Sequence, residues 1–131
     1  MTISNRKERI PCDIHQVWTV VTDVENYVTW RSDLSKIEII DDRQFVEYNK
    51  KGYPTTFTVT VIKPCQRWEF DMENSNMKGH WTGVFTAEEN ATTIVFTEVV
   101  KVKKWYSKPF IKTYLQRQQA RFSADLRKAL M

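Results

Sequence analysis

Residues that interrupt regular structure are scarce here: three glycines and four prolines in 131 positions. Long elements joined by short connections are therefore expected, with no linker and no low-complexity tract. Cysteine and histidine are equally sparse, two of each, and no CxxC pair occurs. That pattern argues against a zinc site and makes a reducing cytoplasm the simplest compartment; one disulfide between Cys12 and Cys65 is the alternative. No apolar run approaches the roughly 18 residues that a bilayer-spanning helix needs. The opening MTISNRKERIPC lacks the apolar stretch and small-residue cleavage site of a signal peptide. Also missing are GxSxG, a P-loop, the RNP octapeptide and GXXG, so nothing points to a nucleophile elbow, a cofactor or a nucleic-acid partner.

What is abundant is aromatic. Phe, Trp and Tyr make up 13% of the chain, with five Trp, seven Phe and five Tyr. Such side chains fill cores and also wall small-molecule cavities. The length suits one domain, residues 1–131, with a sizeable core. Net charge is +4, and the stretch KVKKWYSKPFIK (residues 101 to 112) carries five lysines and no acid. It reads as a solvated strand end and helix start, or as a weak contact for phosphates or acidic lipid headgroups.

Residues 3 to 10 read as a strand. Asp13 with Gln16 three residues on has the form of a capping box, and Ile14, Val17, Trp18 and Val21 then recur at helical spacing. Thr22-Asp23 stops that helix and starts a second short one, which ends at Trp30. From residue 34 the period becomes two: KIEII, QFVEYNK, PTTFTVTVI, RWEFDM, HWTGVFTA and TTIVFTEVVKV are six sequential strands. In them Phe57, Val59 and Val61 share a face, as do Trp68, Phe70 and Met72, and Trp81, Gly83 and Phe85. The chain closes in a long helix, about residues 108 to 130, with Pro109 in its first turn and Ile111, Leu115, Phe122, Leu126 and Ala129 on one stripe. Gln118 stands in the middle of that stripe. These elements predict an α+β fold: a curved antiparallel sheet of six to seven strands wrapped around the long terminal helix, with two short helices after the first strand.

The segment PCDIHQVWTVVTDVENYVTW, with Pro11, Val17-Trp18, Asp23 and Trp30, and the later WTGVFTAEENATTIVFTEVV resemble the START/Bet v 1-like superfamily, also called SRPBCC or polyketide cyclase/dehydrase-like proteins. The resemblance covers nearly the whole chain and implies the helix-grip fold. It leaves the activity open, because that superfamily includes lipid and hormone carriers, aromatase/cyclases, coenzyme Q-binding proteins and co-chaperones. In one turn the chain departs from the family pattern, with Asn90-Ala91-Thr92 where Gly-Thr is usual.

Sheet and helix are expected to enclose a hydrophobic compartment. Phe57, Trp68, Phe70, Trp81, Phe85 and Phe96 converge on it from the strands, and Tyr114, Gln118 and Phe122 from the helix; the resemblance implies that Trp30 and Arg31 lie near its open end. Each aromatic alone is better read as core. Two polar residues are weak catalytic candidates. Glu98 faces the compartment if Ile94 and Phe96 do, and water if Thr93, Val95, Thr97 and Val99 are the inward set. Gln118 needs a partner, which is a ligand, a water or a strand side chain. His15 and His80 read as surface residues. Three functions fit: binding of a hydrophobic or aromatic small molecule, lipid-like or polyketide-like; a cyclase/dehydratase-like enzyme that works by orienting its substrate; or a protein-interaction module using Arg117, Arg121 and Lys128 of the terminal helix. Monomer and homodimer are both compatible with the sequence.

Overall fold

The computed structural model describes residues 1–131. Strand β1 (Thr2–Ile10) leads into helix α1 (Ile14–Thr22) and a 3-10 helix (Val24–Thr29). Six strands follow: β2 (Leu34–Ile39), β3 (Gln44–Asn49), β4 (Pro54–Lys63), β5 (Arg67–Glu73), β6 (Met77–Glu88) and β7 (Ala91–Val102). A second 3-10 helix (Trp105–Phe110) precedes α2 (Ile111–Leu130). The seven strands form one antiparallel sheet in the order β1-β7-β6-β5-β4-β3-β2. Consecutive strands from β2 to β7 are neighbours, as short connections require, and β1 closes the far edge beside β7.

Local chemistry accounts for the breaks. Asp13 has extended backbone and its carboxylate accepts from the His15 amide at 2.9 Å, capping α1. Asn90 takes φ of 58° in the β6–β7 turn. Asparagine tolerates that left-handed conformation better than most side chains, so this turn closes without a glycine. The pairing of β4 with β5 shifts register between Val59 and Val61. Phe57 and Val59 are buried in consequence, while Val61 is only half-buried and falls out of the expected inward set.

The long helix starts later than its pattern suggests. Pro109 belongs to the 3-10 segment, and α2 proper begins at Ile111. Its buried face is Ile111, Leu115, Gln119, Ser123 and Leu126. This stripe is rotated from the expected one: Ala129 is exposed and Gln118 half-buried. The cause is β1. Ser4 Oγ donates to Gln119 Oε1 (2.9 Å), Gln119 Nε2 donates to the Ser4 carbonyl (3.0 Å), and Arg6 Nε donates to Ser123 Oγ (3.0 Å). Lys112 and Arg127 donate to the carbonyls of Ile3 and Arg9. The helix thus satisfies backbone groups on a strand paired on one side only, and covers an edge that would otherwise invite another chain. In doing so α2 lies close to β1 and β7 and stands off the middle strands. That offset is what leaves room beneath it.

Candidate functional site

Between α2 and strands β3 to β7 lies a cavity of about 950 Å³. Half of its lining residues are hydrophobic. Its mouth is bordered by the β3–β4 turn with Lys50, Lys51 and Tyr53, by Asn74, Ser75 and Asn76 of the β5–β6 turn, and by Lys104, Tyr106, Ser107 and Phe110 after β7. These three connections meet at one end because alternate turns of an antiparallel meander share an end.

A closed circuit of aromatic contacts runs through the walls and the residue behind them, Trp30. Phe45 stacks on Phe57 with centroids 5.0 Å apart, and Phe57 meets Phe70 edge-on at 5.2 Å. Phe70 stacks on Trp81 at 4.9 Å. Trp81 then meets Phe122 of α2, Phe122 meets Trp30, Trp30 meets Tyr27, and Tyr27 returns to Phe45. Offset-stacked and edge-to-face pairs of this kind add to what burial alone contributes. The Trp81 indole lies over its own strand neighbour Gly83, where a Cβ would come within 2.5 Å of Trp81 Cη2.

Most of the residues expected at the compartment line it: Phe57, Trp68, Phe70, Trp81, Phe96, Tyr114, Gln118 and Phe122. Two do not. Phe85 packs edge-on against Trp18 of α1 at 5.0 Å, because α1 covers that end of β6 and seals it into the core. Trp30 is turned away by the 3-10 helix, held between Tyr27 and Phe122, and borders a separate surface pocket with Val20, Asp23 and Asn26. Arg31, the next residue, is the one that lines the cavity.

The polar groups of the cavity fall into two clusters. In one, the Arg31 guanidinium forks to two carboxylates: Asp33 at 2.9 and 3.1 Å and Glu47 at 3.2 and 3.3 Å. It also stacks over the Tyr27 and Phe122 rings at 5.2 and 5.4 Å. Burial disfavours the Arg31 charge, but the two carboxylates outweigh it and keep the guanidinium protonated. Burial likewise opposes ionisation of Asp33, yet the Arg31 hydrogen bond and charge hold its pKa low. At Glu47 burial wins over the same guanidinium and the pKa is raised.

The second cluster is Glu98, Tyr114 and Gln118. Thr92, Ile94, Phe96, Glu98 and Val100 are the buried alternate set of β7, and Val95 is exposed, so Glu98 points inward. Burial raises its carboxyl to about 7, with the Gln119 amide and the Arg31 charge partly opposing. Gln118 Nε2 donates to the Tyr114 hydroxyl at 3.1 Å, and burial raises the Tyr114 pKa as well. Gln118, the anomaly of the helix stripe, therefore has an internal partner, while the fully buried glutamine is Gln119. No group of three or more His, Cys, Asp or Glu stands close enough to hold a metal ion. His80 faces outward between Asp71 (2.7 Å) and Glu69 (2.7 Å). Cys12 and Cys65 are unbonded thiols.

Of this first cluster only Arg31 was placed near the compartment from the sequence; Asp33 and Glu47 are the polar residues that a strand-by-strand reading passes over. A signal was present: in QFVEYN, period two puts Glu47 on the same face as Phe45. A carboxylate on the inward face of a strand needs a buried cation, and Arg31 was the basic residue beside the Trp30 turn.

No helix of the chain is long and apolar enough to cross a membrane. The fold is similar to that of a START superfamily protein from Mycobacterium smegmatis, with a TM-score of 0.90 at 11% identity over 98% of this chain and 96% of that one. A conserved protein from Geobacillus kaustophilus gives 0.85 at 14% identity over 98% and 95%. The Zhui aromatase/cyclase of Streptomyces sp. R1128 gives 0.83 at 13% identity over 98% and 93%. No curated protein matches the chain in sequence. The family model for polyketide cyclase/dehydrase and lipid transport matches residues 1–131, and the chain, with its helix-grip architecture around the cavity, belongs to that family.

Proposed function

We propose that the protein binds a hydrophobic or aromatic small molecule, lipid-like or polyketide-like, in the cavity under α2. The observation that carries this reading is the cavity itself: about 950 Å³, at the upper end of the roughly 300–1,000 Å³ found for ligand sites, walled by aromatics. Apolar walls supply affinity through area removed from water. Glu98, Tyr114 and Gln118 supply orientation, because a ligand hydroxyl, carbonyl or amine placed there meets a carboxyl, a phenol and an amide. Native mass spectrometry of gently purified protein, with displacement of a fluorescent fatty-acid probe, tests the reading. Retained or displaceable ligand is expected; a protein that carries nothing and takes up no probe sinks it.

The inward carboxyl favours a second reading, catalysis of the cyclase/dehydratase kind that the family's description names, one of the similar structures being an aromatase/cyclase. A carboxyl that titrates near 7 is matched to proton transfer at neutral pH. Glu98 would take a proton from a carbon next to a ketone, and the Tyr114 hydroxyl would donate to the oxygen on which charge develops. A short poly-β-ketone thioester is a suitable substrate. Cyclisation no faster with wild type than with Glu98→Gln removes this reading and leaves ligand binding in place.

A further inference from the structure

The cavity mouth has a chemistry of its own. The 3-10 helix Trp105–Phe110 buries none of its residues. Trp105 is 84% exposed, Phe110 70% and Tyr106 57%, and across the mouth Tyr53 is 66% exposed. Large apolar side chains left in water and clustered on one face mark an interaction surface. Lysines are interleaved with them: Lys50, Lys51, Lys104 and Lys108 are exposed and have no carboxylate partner, while Lys103 pairs with Glu73 at 2.7 Å. No acid occurs from residue 48 to 68 or from 99 to 124. The opposite end of the sheet is different. Its turns mix both signs, Asp41, Asp42, Glu88 and Glu89 with Arg43, Lys63 and Arg67, and Glu88 is paired with Arg9 at 3.2 Å.

We propose that this aromatic and lysine-rich rim docks on an anionic lipid bilayer, with the cavity mouth facing the membrane. Trp and Tyr rings settle at the headgroup level, where an apolar body and a polar tip are both satisfied. Lysines beside them are attracted by anionic headgroups, and because the far-end turns carry acids and bases together, the unpaired positive charge of the rim turns the mouth toward the surface. An acidic protein would satisfy the lysines equally. It would not explain why Tyr53, Tyr106 and Phe110 border the opening of an apolar cavity, whereas a membrane is where a poorly soluble ligand resides. That last step rests on the proposed ligand reading; the exposed aromatics and unpaired lysines do not.

The test is sedimentation with vesicles of phosphatidylcholine alone and of phosphatidylcholine with one third phosphatidylglycerol. Retention is expected on the anionic vesicles only, and it should fall as salt is raised. Trp105→Ala and Lys108→Glu alter rim residues that do not themselves line the cavity. Each should weaken retention, the lysine reversal by roughly fivefold or more. Uptake of the fluorescent fatty-acid probe from solution should be unchanged in both variants. No sedimentation, equal sedimentation on neutral and anionic vesicles, or variants that bind like wild type would each overturn docking, whatever the probe shows. Sedimentation without probe uptake upholds docking and removes the ligand reading instead.

Discussion

Arg31 and Glu47 meet face to face inside the molecule, with side chains only 10% and 11% exposed and two guanidinium nitrogens on the two carboxylate oxygens. Truncating one partner of such a pair leaves the other charged and dry. Arg31→Met should therefore cost about 3–5 kcal/mol in urea unfolding at neutral pH. Because Glu47 is then best protonated, the double variant Arg31→Met, Glu47→Met should recover part of the loss. A single variant as stable as wild type would show the pair to be solvated.

Glu98 makes stability fall as pH rises. In the folded protein its carboxyl holds a proton up to about pH 7, against a reference value of 4.5. Between those values the native state binds more protons than the unfolded chain, so the native state is favoured below the window and loses that advantage through it. The full loss above pH 7 is on the order of 3 kcal/mol. Glu98→Gln removes the ionisation, so its urea midpoint should change less between pH 5 and pH 8 than that of wild type. Identical profiles would place the Glu98 carboxyl in water.

Adjacent glutamines on α2 should separate stability from binding. Gln119→Ala strips two hydrogen bonds from the buried Ser4 and is expected to cost about 2 kcal/mol or more. Gln118→Ala releases a half-buried side chain bonded only to Tyr114 and should stay within about 0.5 kcal/mol of wild type. Both side chains line the cavity, so both variants should weaken probe binding, and only Gln119→Ala should do so together with a loss of stability.

Phe85 offers the same separation on the sheet. Shortening it to leucine opens space against Trp18 and should cost about 1–2 kcal/mol. The dissociation constant for the probe should not move, since Phe85 lies outside the cavity. Phe57→Leu, at the cavity wall, should weaken binding.

Much of this was legible in the chain. Alternation in RWEFDM and the helical spacing of Val17, Trp18 and Val21 are local signals, and each element follows from them. The inward face of β7 was not decidable from its own residues, because both alternating sets of that strand are apolar or Thr-rich; pairing with β6 and β1 decided it. The rotation of α2 was hidden for a similar reason. Gln119 and Ser123 look like surface residues until Ser4 and Arg6 of β1, more than a hundred positions away, turn toward them. Phe85 and Trp30 had the right chemistry for a cavity wall. Only the packing of α1 and the pitch of the 3-10 turn determine that they face elsewhere.

The hydrogen atom at position 83 gives the cavity a lever that no ligand touches. Trp81 lies flat because Gly83 offers its ring nothing to collide with, and a methyl group there would lift the indole toward α2 and shrink the space below it. Descendants of this sequence could retune what they accommodate by exchanging one small residue behind the wall, while every side chain in view of the ligand stayed the same. Comparing only contact residues among relatives would then miss the substitution that changed their preferences.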